Sequence, residues 1–139
     1  MTDTIHDNPT PWGADHIRRF RETGGHPRPG IADLLLPTRG RRSGLLRRTA
    51  LTYVRDEDAY VLTASNAGGD RHPAWYLNLM ADPEVTLQVG EATFPATARP
   101  ATATESDRLW PTVVAAMPSY AAYRTATIRE IPLVLVAPT

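Results

Sequence analysis

No cysteine and no lysine occur among the 139 residues. The first absence excludes disulfides, thiolate metal sites and a cysteine nucleophile, while leaving the redox compartment open. The second makes every permanent cation an arginine, which with the many Ala and Pro residues reads as the codon usage of a GC-rich genome. No apolar run approaches the roughly 20 residues that span a bilayer, and the N-terminus lacks the apolar core of a signal peptide. A soluble, cytoplasmic protein is the expectation. Formal net charge is zero, which argues against a nucleic-acid partner. There is no repeat at solenoid periods, and the only biased tract is an Ala/Thr/Pro-rich bridge over 96–104.

A chain of this length can bury roughly two-thirds of its unfolded surface, enough for one core without staples. Residues 1–11 are polar, carry Pro9 and Pro11, and predict a mobile leader; 12–139 predict a single domain. From Trp12 to Thr23, Trp12, Ile17 and Phe20 recur among Arg18, Arg19, Arg21 and Glu22, and Gly24-Gly25 stops the pattern as a C-cap would. This reads as an amphipathic helix that docks on the domain or covers a site; its thin apolar stripe permits at most weak peripheral membrane contact. Strands are predicted at 32–38, around Thr49 to Val54, at 59–64, 84–89 and 92–99, and at 132–138, with Asp56-Glu57-Asp58 and Gly90-Glu91 as turns. Pro95 places its strand at an edge or a bulge. Thr102 and Glu105 have capping-box spacing and open a helix that Pro111 is expected to divide, with a second short helix after Pro118. Six strands, mostly in hairpins, with helices between them predict a mainly β, α+β fold: an antiparallel barrel with helical decoration.

Two stretches carry unusual chemistry. Between Arg39 and Arg48 lie Arg39, Arg41, Arg42, Arg47 and Arg48, with Gly40 and Gly44 flanking Ser43 and no acidic residue. Glycine lets backbone approach an anion, Ser supplies a donor, and guanidinium groups grip phosphate in pairs. A solvated basic loop, a small-molecule phosphate site and a nucleic-acid patch all fit, the last least because no aromatics are interleaved. P-loop spacing is absent. The second stretch runs from Ser65 to Leu79, a Gly-rich loop entering a helix at Pro73, whose missing N–H suits a first turn. Free backbone amides at such a start favour an anion or a carbonyl oxygen. Trp75 and Asn78, three apart, can face one ligand. His72 is open to readings as general base, ligand or helix-start residue, but His6, His16 and His26 lie at unrelated spacings and no metal site is expected. Neither a nucleophile elbow nor a Ser/His/Asp arrangement is present. Tyr120 and Tyr123 share a helical face, with Met117 one step earlier on the same stripe; the pattern fits core, or phenols at a pocket edge that stack and donate a proton.

These motifs, in order, carry a resemblance. Thr38-Arg39-Gly40-Arg41-Arg42-Ser43-Gly44 with Arg47, Ala64-Ser65-Asn66 through His72-Pro73-Ala74-Trp75-Tyr76-Leu77-Asn78-Leu79, Asp82-Pro83-Glu84-Val85, and Arg129-Glu130-Ile131-Pro132 resemble the deazaflavin-dependent nitroreductases, also called F420H2-dependent quinone reductases, over roughly Trp12 to Pro138. The resemblance implies a split β-barrel related to flavin-mononucleotide oxidases. It implies coenzyme F420 as cofactor, with FMN less favoured, and hydride transfer to a flat electrophile such as a quinone, an enone, a nitroaromatic or a natural-product intermediate. The deazaflavin carries its own hydride, so the protein need only bind, orient and exclude water. By the same resemblance Arg42, Ser43 and Arg47 hold the phosphate and anionic tail, and Asn66, Ala67, Gly68, Gly69, His72, Trp75 and Asn78 line the ring and ribityl region. Ser65, Met117, Tyr120 and Tyr123 meet the substrate, with Tyr120, or water held by Ser65, as proton source. Met117 stands where related enzymes can carry a tyrosine, the Gly-Gly pair comes one residue late, and Pro27-Arg28-Pro29 replaces a Trp-containing approach; the first departure weakens the case for nitroimidazole-type substrates. The implied partner is a small molecule, with monomer and dimer both open. A non-enzymatic module that stores F420, FMN or haem is the alternative.

Overall fold

The computed structural model describes residues 4–139. Seven strands, β1 (Ile5–Asp7), β2 (Asp33–Arg39), β3 (Leu46–Asp56), β4 (Ala59–Thr63), β5 (Glu84–Val89), β6 (Ala92–Pro100) and β7 (Leu133–Pro138), are joined by four helices, α1 (Pro11–Glu22), α2 (Ala74–Ala81), α3 (Ala103–Ala116) and α4 (Ser119–Ala126). The sheet runs β1-β3-β2-β5-β6-β7-β4, and a further β3–β4 pairing closes the last six strands into an antiparallel barrel. That is the predicted architecture with one strand added.

The closed barrel explains why two strands read as continuous apolar runs. Along β2, Leu34 and Leu36 point into the barrel core with Leu62, Leu87, Val134 and Val136, while Leu35 points out against Ile17, Phe20 and Ala50 beneath α1. Along β7, Leu133 and Leu135 face outward under Leu109, Trp110 and Val113 of α3. Strands covered on both faces lose the polar alternation of a half-exposed sheet. Trp75 and Leu79 send α2 into the inner cluster. Ile17 and Phe20, at most 1% exposed, each contribute about 2 kcal/mol to docking α1, so this helix packs on the barrel as one of the two predicted uses required.

Four local expectations change. Residues 5–7, placed in a mobile leader, form β1, which runs parallel to β3 with Ile5 opposite Leu46, and Asp7 is paired with Arg48 at 2.7 Å; three residues carry no readable alternation, so only the ladder and the ion pair reveal them. β6 is interior to the sheet, between β5 and β7. Pro95 is tolerated there because its ladder edge faces the end of β7, where its carbonyl accepts from Thr139 N–H at 3.1 Å, so the missing N–H costs at most one bond beyond the last paired residue of β7 and leaves the β5 ladder intact. Pro111 lies inside an unbroken α3, which begins with the predicted Thr102/Glu105 capping box. Met117 caps α3, and Pro118 precedes α4, so Met117 is not on the helical stripe of Tyr120 and Tyr123.

Candidate active site

A cleft of about 380 Å³ opens on the outer face of β3 and β4. Thr49, Ala50 and Leu51 form its floor; Ser65, Ala67 and Trp75 form one wall, Tyr120 of α4 another, and Asn8 with Trp12 at the start of α1 overhang it. Trp12 is 73% exposed, a large apolar ring left uncovered at the mouth. Neither Asn8 nor Trp12 was assigned to the site from sequence, although a helix covering a site was one reading of α1.

The Ser65–Gly69 wall is strained and braced. Asn66 (φ 49°), Ala67 (φ 53°) and Gly68 (φ 80°) are successive left-handed residues, a conformation costing Ala67 on the order of 1 kcal/mol. Arg129 holds it. Its Nε donates to Gly69 O at 2.9 Å, and Nη2 donates to Ser65 O at 2.8 Å and Ala64 O at 3.2 Å. Nη1 lies 3.0 Å from His72 Nδ1, which must accept this bond, leaving the His72 proton on Nε2. Burial first and the Arg129 charge second lower the His72 pKa, keeping the ring neutral. A side chain at Gly68 would meet Tyr123 Cα and Ala126 Cβ at 3.2 Å, so this glycine lets α4 approach the loop. The only sign of Arg129 in the sequence was its place before Glu130-Ile131-Pro132.

The arginine loop is built differently. Arg39 donates to Gly44 O at 2.8 Å, Arg41 N–H and Nη1 both donate to Asn78 Oδ1 (3.3 and 3.1 Å), and Arg48 pairs with Asp7. Among the described residues, Arg42 and Arg47 make no such contact and are exposed. Ser43 Oγ accepts from Leu45 N–H at 3.2 Å, which leaves its hydroxyl proton free to donate. Asn78 is 7% exposed and also donates to Thr38 Oγ1 at 3.1 Å; it ties the arginine loop to α2 and does not line the cleft.

The cleft therefore gathers Ser65, Asn66, Ala67, Trp75 and Tyr120 of the sequence-assigned residues. His72 lies in a separate cleft with Tyr76 and Glu130. Tyr123 packs edge-on to Tyr120 at 6.1 Å between ring centres, and Gly68 and Gly69 shape the wall from behind. Burial, foremost, raises the Tyr120 pKa, opposed in part by the charge of Arg28.

A six-stranded closed barrel with a cleft on its outer face and, beside it in the chain, two arginines without a partner among the described residues is the frame of a split-barrel domain that binds a small molecule. The family model for F420H(2)-dependent quinone reductase matches residues 13–138, and the chain belongs to that family. It is 42% identical to the F420H(2)-dependent quinone reductase Rv1261c of Mycobacterium tuberculosis, covering 86% of this chain and 85% of that one. Among solved structures it is similar to an F420-H2 dependent reductase, FDR-A (38% identity, TM-score 0.68, 75% of this chain and 92% of that one). A second, described as a domain-swapped dimer, is 35% identical with a TM-score of 0.70, covering 93% and 99%. The chain is an F420-dependent reductase acting on a small molecule, and coenzyme F420 is its cofactor. No helix among the described residues is long and apolar enough to cross a membrane.

Proposed function

We propose that the acceptor is a quinone or a similarly flat enone, bound in the cleft between Trp12 and the Ser65–Trp75 wall with Tyr120 at its reacting oxygen. The observation that carries this reading is the cleft itself: two indoles, a buried Ser hydroxyl and a phenol converge on one slot. The donor set also fits the cofactor. Arg42, Arg47 and the Ser43 hydroxyl suit a phosphate and carboxylate tail, and the braced 65–69 backbone with Trp75 suits a ring. When bound, reduced F420 supplies the hydride. The protein orients the acceptor against it, keeps water out, and offers the Tyr120 hydroxyl proton to the oxygen that gains charge.

The test is oxidation of F420H2 by this protein with naphthoquinones, cyclohexenone and a nitroimidazole, beside an F420 binding titration. Turnover should be fastest with quinones and fall by about tenfold or more in Tyr120→Phe with F420 affinity unchanged. Binding without turnover of any acceptor would leave a carrier. The relative described as a domain-swapped dimer supports a dimer as the assembly, read by static light scattering across a dilution series; a constant monomer mass would remove it. A cytoplasmic location follows the same reading and is lost if cell fractionation finds the protein elsewhere.

A further inference from the structure

The segment that leads into α1 is held from two sides. β1 is extended past Asp7 by Asn8 N–H, which donates to Arg48 O at 2.9 Å; the parallel register sets Asn8 beside Thr49, the first residue of the cleft floor. Asp7 pairs with Arg48 of β3 at 2.7 Å and with Arg21 of α1 at 3.2 Å, so strand and helix both anchor the turn between them. Asn8 is half-buried and lines the cleft beside Trp12.

Its carboxamide has one orientation. Oδ1 accepts from Thr10 N–H at 3.0 Å and from the Thr10 hydroxyl at 2.8 Å. A backbone N–H can only donate, so the amide atom facing it must be the oxygen. The Thr10 hydroxyl in turn accepts from Gly13 N–H at 3.2 Å and caps α1. That leaves the amide NH2, whose two donors meet no acceptor among the described residues. Gly13 gives it room: a Cβ there would stand 2.5 Å from Thr10 Oγ1, 2.7 Å from Asn8 Cγ and 2.9 Å from Asn8 Nδ2. Glycine is a poor helix former, and its place in the first turn of α1 serves the seating of this amide. The turn itself asks only for the oxygen, which Asp would supply equally well without any N–H.

We propose that Asn8 is an acceptor-binding residue whose free N–H donors hold a second oxygen of the acceptor at the mouth of the cleft, while Tyr120, on another wall, meets the first. The inference rests on the cleft being the acceptor site. It makes Asn8 a specificity determinant for para-quinones over enones with a single carbonyl. A quinone engages a donor with each of its oxygens, whereas an enone leaves the Asn8 amide without a partner.

Asn8→Asp is the discriminating change, because it keeps the oxygen that Thr10 uses and removes both donors. The melting midpoint should stay within about 2 °C of the parent, and F420 affinity should hold. The preference for a para-naphthoquinone over cyclohexenone, read as the ratio of kcat/KM values, should fall about tenfold. Independently of turnover, the protein loaded with oxidised F420 can be titrated with each acceptor and followed by NMR. The Asn8 side-chain amide signals, assigned by their loss in Asn8→Asp, should move with naphthoquinone and several-fold less with cyclohexenone. An unaltered ratio, an equal loss with both acceptors, or amide signals that naphthoquinone leaves in place would each overturn the proposal. Failure of the reading beneath it looks different: the parent protein then does not turn over naphthoquinone at all. The amide signals alone decide in that case, moved signals keeping Asn8 as a contact and unmoved ones removing it.

Discussion

The loops at 40–45 and 64–72 both leave barrel strands and both carry residues assigned to the cofactor, yet they are constructed in opposite ways. The first offers exposed cations, of which Arg42 and Arg47 have no partner among the described residues. The second has its carbonyls gathered onto one guanidinium, that of Arg129, and three left-handed residues in succession. An anionic tail of variable reach is met well by charges that can follow it. A ring that must lie at one angle to an acceptor needs backbone that cannot move, since small misplacements of a reacting pair cost large factors in rate.

The strongest way to break this contrast is Arg129→Ala. It strands the carbonyls of residues 64, 65 and 69, should cost about 3 kcal/mol of stability, and should lower the melting midpoint by roughly 10 °C while removing ring binding. A midpoint within about 2 °C of the parent would show that the loop is held by other means. Next, Arg42→Ala with Arg47→Ala should weaken F420 about 100-fold, with a shallower salt dependence and no loss of thermal stability. Equal weakening for the tail-free ring fragment would erase the division of labour between the two loops.

The pair of Arg28 with the buried Asp33 carboxylate extends the same contrast between engaged and unengaged charge. Burial pushes the Asp33 carboxyl up, but hydrogen bonds from His16 and Arg28 and the Arg28 charge outweigh it and hold the pKa at about 2, below the ordinary 3.8. A depressed carboxyl contributes stability that is complete above its unfolded pKa and is lost as pH falls through the folded one. The contribution is on the order of 2 kcal/mol, so melting temperature should drop steeply between pH 4 and 2, and Asp33→Asn should flatten that limb. Smallest is Asn78→Ala, which frees Arg41 and Thr38 and should cost about 1 kcal/mol. Its F420 defect should resemble that of the arginine variants, because Asn78 joins that loop to α2; a defect confined to the ring fragment would return it to the ring site.

Much of this was readable in advance where the signal is local. The 49–64 hairpin, the capping box at Thr102 and Glu105, and the turn at Gly90 depend on residues a few positions apart, and they stand where the pattern put them. Pro95 and Pro111 misled because a proline's effect depends on which neighbour would have received its N–H, and that neighbour is set by other strands and turns. Asn78 and His72 lie within the right stretch but face away from the cleft, since a helix start fixes spacing and not the direction in which the barrel receives it.

The arginine-rich loop, the Gly-rich loop with its Pro-entered helix, and the alternation of the strands were thus set by the sequence itself, and with them the class of fold, while the cofactor followed from the family those motifs resemble. Closure of the barrel decided the rest. It turned Leu35 and Ala50 outward to receive α1, brought Trp12 over a cleft whose opposite wall lies about 60 residues away in sequence, set Arg129 against carbonyls of residues 64–69, and joined Asp33 to Thr52 across β2 and β3. Contacts across such separations leave no periodicity to read, because each partner is chosen by where six strands meet and not by its neighbours in the chain.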